Sequence, residues 1–276
     1  MPWLSYSGLP VGGVAVALML GTSALLGVPV SAPLLVLAFC GTFLTYLAER
    51  TLAAAPEDRH NCPERRVWLR RHRVPVAVAA AAALAGASWA LPRLRLITLG
   101  AAACVGVLSA LYAWALLPGG RRLKAWPWAK PLAISGGWAA GGVLLPVLEA
   151  GATLHPGAWA LAAYRFLLIL PNALWADWPD RTGDRRAGLC TVATEHGSVQ
   201  LRRLSLAALA LAGAGALALL LTGRAPGILT VDLTGAALMA VAVRRAPSTP
   251  PWFYVAVLDA LVAWPLMTYG AARLVY

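Results

Sequence analysis

The sequence predicts an all-α fold, a polytopic membrane bundle of nine transmembrane helices forming one domain over residues 1–276. Three observations predict it. Sixty per cent of the residues are hydrophobic and only 12% are charged, whereas a soluble domain carries about 45–50% and about 25%. The chain runs from Gly8 to Ala48 without one charge, although a spanning helix needs only about 20 apolar residues. The charges that do occur gather in short segments between apolar runs.

Breaks at proline, glycine and charge clusters divide the chain into spans at about 8–28, 32–52, 74–92, 96–117, 131–149, 157–176, 202–222, 227–243 and 252–272. The first lies between Gly8 and the Gly27–Val28–Pro29 break, and the second between Pro33 and Glu49–Arg50. The third follows the arginines at 70, 71 and 73, carries "AVAAAAALAGA" and stops at Pro92. Small residues of this kind suit helices packed closely in lipid. The fourth starts behind Arg95 and stops at Pro118–Gly119; the fifth spans Pro131 to Glu149. The sixth opens at Pro156–Gly157 and ends ahead of Asp177, and the seventh lies between Arg203 and Gly223. The eighth runs from Gly227 to Arg244, and the ninth from Trp252 to Arg273.

The net charge of +12 reads as topology rather than as a nucleic-acid surface. Segments 49–73, 118–130, 177–203 and 244–245 hold 18 of the 23 basic residues, and with nine spans they share one side with the N-terminus. That asymmetry is the positive-inside rule. It places the N-terminus and the loops at about 49–73, 118–130 and 177–199 in the cytoplasm of a cell whose inner membrane holds the protein. The opening "MPWLSYSGLP" lacks a basic n-region, so no cleaved signal peptide is expected. The four cysteines and four histidines show no zinc-ligand spacing.

Eight of the eleven acids fall in two cytoplasmic patches: Glu49, Glu57, Asp58 and Glu64 after span 2, and Asp177, Asp180, Asp184 and Glu195 after span 6. Each patch follows the second helix of a four-helix half, which suggests two related halves facing one another. Asp177, Asp180 and Asp184 are spaced by three and four and share a face if the helix continues, although Pro179 and Gly183 interrupt it. Two readings are open. One is a solvated, self-neutralising loop. The other is a Mg²⁺ site, since that ion takes one or two carboxylates together with substrate phosphates. In that case Arg181, Arg185 and Arg186 suit phosphate oxygens, and the surrounding apolar helices suit a diphosphate on a hydrocarbon tail.

The stretch "DWPDRTGDRRAGLCTVATEHG" resembles the second aspartate-rich motif of the UbiA superfamily of intramembrane prenyltransferases, through Asp177, Asp180, Gly183, Asp184, Arg185, Gly188, Thr191 and Gly197. "LYAWALLPGGRRLKAWPWAKP" is similar to that family's Tyr/Lys segment after the fourth span, with Tyr112, Lys124 and Lys130 as the matching residues. The resemblance covers essentially the whole chain. It departs at the first motif: "TYLAERTLA" has Thr45 and Tyr46 for Asn-Asp, Glu49 for the next Asp and Ala53 for the last. Glu57 or Asp58 could stand in for the acid missing at Ala53.

The resemblance implies a Mg²⁺-dependent transferase of alkyl or aryl groups other than methyl. It would move an isoprenoid unit from a prenyl diphosphate to a small-molecule acceptor, for which an aromatic ring is one class, in a lipid bilayer and without nucleic acid. It implies metal binding by Glu49, Asp177, Asp180 and Asp184, and diphosphate binding by Lys124, Lys130, Arg181, Arg185 and Arg65. Tyr112 and Asn172 join Lys124 and the three aspartates as candidate catalytic residues. The degenerate first motif leaves two alternatives, a UbiA-type terpene cyclase and a non-catalytic lipid-binding homologue.

Arg165 and Asp259 are ionisable residues inside spans and hence functional candidates. Their depths predict an Arg165–Asp259 ion pair that locks the bundle. Trp126, Trp128, Trp175, Trp178 and Trp252 fall at predicted interfaces, as an aromatic belt would. Tyr112, Trp138 and Tyr164 are the aromatic rings considered for contact with a carbocation.

Overall fold

The structure, a computed structural model, describes residues 6–51, 63–113, 126–186 and 188–275. Lys124, Glu57 and Asp58 lie outside the described residues, as does the side chain of Tyr112. Described residues are helical throughout the apolar runs, with no strand among them. The membrane helices are α1 (Leu9–Leu26), α2 (Ala32–Thr51), α3 (Arg73–Ala90), α4 (Leu96–Ala113), α5 (Ala129–Glu149), α6 (Pro156–Trp175), α7 (Ser198–Leu221), α8 (Leu229–Arg245) and α9 (Pro251–Val275). Seven of them are long and apolar enough to cross a membrane. The shorter α4 and α8 take the other two predicted positions. The protein is a multi-pass membrane bundle.

Helices adjacent in sequence pack in succession, α1 on α2, α2 on α3, and α4 through α8 each on the next; α9 then packs on both α8 and α1. The chain thereby closes on itself. Helix α6 is the hub, touching α1, α5, α7, α8 and α9. The largest apolar core joins α1 with α5 to α9 around Leu18, Leu168, Trp175, Met239 and Leu258. A smaller core ties α2 to α3 through Cys40, Phe43 and Ala83. Val78 and Leu84 on α3 and Ile97 and Val107 on α4 are each more than half exposed. Such faces carry no penalty against lipid tails, which are as apolar as leucine itself.

Trp175 differs from the sequence expectation. It is fully buried, and its Nε1 donates to Ser205 Oγ on α7 at 3.2 Å; Trp126, Trp128 and Trp252 are exposed, as belt residues are. Tyr164 is also buried, one residue from Arg165 in the core.

Two helices widen by one residue per turn, α5 at Ala140–Leu144 and α9 at Tyr254–Leu258. Such π-turns re-aim the side chains that follow. In α5 the Thr22 hydroxyl of α1 donates to Gly142 O at 2.7 Å. In α9 the π-turn immediately precedes Asp259.

Where α1 meets α9, a Cβ on Gly21 would stand 2.3 Å from Pro265 Cβ and 2.9 Å from Pro265 O. Gly21→Ala is therefore expected to destabilise the bundle by about 1–3 kcal/mol, read as a lowered midpoint in detergent-monitored unfolding. Gly13, with nothing nearby, is the control and should tolerate alanine. Equal stability of the two variants would contradict the tight α1–α9 closure.

Candidate functional site

Helix α6 ends at Trp175, and residues 176–180 form a turn before a short helix, Arg181–Arg186. Pro179 prevents a single helix from running through. The three aspartates therefore do not share one continuous helical face. Asp177 and Asp180 belong to the turn, where Asp180 N donates to Asp177 O at 3.2 Å. Both are only partly exposed, and Asp184 behind them is 4% exposed.

The motif's glycine and threonine shape this loop. Gly188 has a φ of 70°, which a residue with a Cβ rarely adopts. It closes the short helix with Leu189 N donating to Asp184 O at 2.9 Å and Gly188 N to Arg185 O at 3.2 Å, a Schellman end. Thr191 caps the next turn of helix, Val192–Glu195, exchanging hydrogen bonds with Thr194 in a reciprocal capping box. Arg185 Nη2 donates to Thr194 O at 2.9 Å and braces the two turns together.

Basic side chains meet this acidic turn. Lys130, at the start of α5, forms an ion pair with Asp177, both groups being largely shielded. Arg181 Nη1 donates to Trp178 O at 2.6 Å, and its guanidinium lies 4.1 Å from the centre of the Trp178 ring. Arg65 is half-buried on the short helix Pro63–Arg71, and Glu49 is half-buried on the last turn of α2. The ring of His196 lies 5.8 Å from that of Trp128, so the loop and the start of α5 share one rim.

Below the rim the sequence expectation is corrected. Arg165 does not pair with Asp259. Its Nη1 lies 2.5 Å from Asp232 Oδ2 on α8, both side chains being buried. Asp259 instead accepts a hydrogen bond from Asn172 Nδ2 at 2.8 Å. Asp259 therefore sits level with Asn172, seven residues or about 10 Å along α6 from Arg165. Asp232 was missed, although it was legible as a lone acid inside the eighth predicted span. Its other oxygen accepts from Thr268 Oγ1 at 2.5 Å.

Arg50, next to Glu49, stacks 3.7 Å from the centre of the Tyr46 ring and donates to the Tyr46 hydroxyl.

Among the described residues no group of three or more acidic, histidine or cysteine side chains could hold a metal by itself. The donors fit an ion that shares its coordination with a phosphate ligand, because Mg²⁺ needs only one or two protein carboxylates in that setting. Asp177 and Asp180 are the two carboxylates that the turn after α6 carries.

No protein-family profile and no curated protein sequence matches the chain. Solved structures do. A UbiA homologue from Aeropyrum pernix K1 in its apo form superimposes with a TM-score of 0.65 at 18% identity, over 96% of this chain and 97% of that one. A structure of digeranylgeranylglyceryl phosphate synthase gives a TM-score of 0.60 at 13% identity, over 98% of this chain and 95% of that one. The chain has the UbiA-like fold along its whole length.

Proposed function

We propose that this UbiA-like bundle is an intramembrane prenyltransferase. It takes a prenyl diphosphate and Mg²⁺ and passes the isoprenoid group to a small-molecule acceptor. Its N-terminus and acidic rim face the cytoplasm from the cell membrane. The observation that carries the reading is the Lys130–Asp177 pair, where the start of α5 meets the turn after α6. A carboxylate facing an ammonium is what a metal–diphosphate headgroup can insert between, with Asp177 turned to the cation and Lys130 to a phosphate oxygen. The digeranylgeranylglyceryl phosphate synthase that shares the fold acts in membranes, which supports an isoprenoid substrate.

Bound magnesium, held by Asp177 and Asp180, would neutralise charge on the departing diphosphate. Lys130 adds positive charge at the same rim, and Arg185 keeps the loop folded beneath it. The apolar helices keep water from an allylic cation that would otherwise be trapped as an alcohol. The charge is met by groups already in place, so little reorganisation accompanies ionisation.

Product analysis tests the reading. Purified protein incubated with Mg²⁺, prenyl diphosphates of several lengths and small hydroxylated acceptors is expected to yield prenylated acceptor and free diphosphate. Cyclised hydrocarbon as the only product, or binding without turnover, would contradict it.

A further inference from the structure

The start of α7 carries a groove that the diphosphate site does not use. It has a volume of about 720 Å³ and is lined by Gly197, Val199, Gln200, Arg203, Leu204 and Ala207. Residues 200, 203, 204 and 207 recur at helical spacing and form one stripe of α7. Gln200, Arg203 and Ala207 are exposed, as is Val199, and Leu204 is half-buried. Among the described residues neither Gln200 nor Arg203 has a hydrogen-bond or ion-pair partner. No acid among the described residues lines the groove, and Glu195, two residues ahead of Gly197, stays outside it.

Two observations set the depth of this groove in the bilayer. From Arg203 to Leu221 at its far end, α7 rises about 27 Å, close to the thickness of a hydrocarbon core, about 30 Å. Arg203 therefore stands where headgroup phosphates lie. The ring of Trp128, exposed as belt residues are, lies 5.8 Å from that of His196, the residue before Gly197. Further along the same face Leu211 and Leu221 are more than half exposed. The face passes from polar, through a cation, to apolar, in the order of a phospholipid from headgroup to acyl chain.

We infer that this groove binds an anionic phospholipid. Arg203 and the Gln200 amide meet the phosphate, and an acyl chain lies along Leu204, Ala207 and Leu211. Nothing in this depends on the prenyl diphosphate reading. Charge selects the headgroup: a free guanidinium donates two parallel hydrogen bonds to phosphate oxygens, and basic pockets at a membrane surface draw anionic lipids. A zwitterionic lipid brings an ammonium as well, and the lining offers no carboxylate to receive it. The apolar part of the groove selects the lipid over a soluble phosphate, which has no chain to cover Leu204 and Ala207.

Photolabelling of the whole chain tests it. The protein is placed in nanodiscs of phosphatidylcholine with a trace of phosphatidylglycerol carrying a diazirine in its acyl chain. After irradiation, the label on residues 197–211 is read by peptide mass spectrometry. In the parent this segment is expected to take about fivefold more label than from phosphatidylcholine with the same diazirine. Arg203→Gln should lower the label by about fivefold, with thermal unfolding unchanged. Ala207→Trp, which fills the groove and leaves every charge in place, should lower it as well. Arg224→Gln, exposed at the other end of α7, should label as the parent does. Equal labelling by the two lipids overturns the inference, as does parent-level label in Arg203→Gln or in Ala207→Trp. An equal loss in Arg224→Gln would reduce the effect to net charge and overturns it too. Displacement of the label by free glycerol 3-phosphate assigns the groove to a soluble phosphate instead. A segment without label in a protein that crosslinks as a dimer assigns it to a second copy of this chain.

Discussion

Asp180→Asn is expected to reduce Mg²⁺-dependent prenyl transfer by about 100-fold or more, the size found when one preorganised electrostatic group is removed from a reacting centre. Asp180 sits on the turn that follows α6, hydrogen-bonded through its backbone to Asp177 and partly open to the rim. Asparagine preserves shape and removes the negative charge a cation would bind. The fold should survive, because the turn is held by backbone bonds and by the Gly188 and Thr191 ends of the short helices. Steady-state rates at saturating Mg²⁺, with circular dichroism as the folding control, check it. A variant that transfers at the parent rate would remove Asp180 from the site.

Asp232→Ala is expected to cost about 3–5 kcal/mol of stability, because it strands a buried guanidinium. Arg165 is fully buried on α6, the hub of the bundle, and Asp232 lies 2.5 Å from it. The other guanidinium nitrogens have no hydrogen-bond partner among the described residues, so nothing nearby would compensate. Removing both charges in Arg165→Met/Asp232→Leu should recover most of the loss, since well-packed apolar pairs often equal buried ion pairs. Unfolding in detergent read by tryptophan fluorescence measures both. A harmless Asp232→Ala would contradict the assignment of this pair as an interhelical lock.

The helices were legible because each apolar run ends at a proline, glycine or charge cluster. Span 1, placed at about 8–28, is Leu9–Leu26 in the structure, and span 6, placed at about 157–176, is Pro156–Trp175. Span 7 starts earlier than the arginine boundary implied, at Ser198, because Arg202 and Arg203 can extend from the helix toward the basic rim while its backbone begins a turn before them.

Of the candidate site, the composition of the acidic loop was legible and its shape was not. The three-four spacing of the aspartates implied a shared face only on a continuing helix; the chain turns at Pro179 as its presence allowed, and the burial of Asp184 behind that turn had no signal in the spacing. The partner of Arg165 was misassigned because depth along one helix says nothing about rotation around it, or about which of several neighbours a hub helix presents. The tie between Asn172 and Asp259 joins residues 87 apart in sequence and depends on a π-turn with no signature in the residues themselves.

A structure of the protein with geranylgeranyl S-thiolodiphosphate and Mg²⁺ bound tests the central claim most directly. The account predicts that Lys130 leaves Asp177 for a phosphate oxygen, while Asp177 and Asp180 turn to the metal. A headgroup bound elsewhere on the bundle, with the Lys130–Asp177 contact intact, would contradict it.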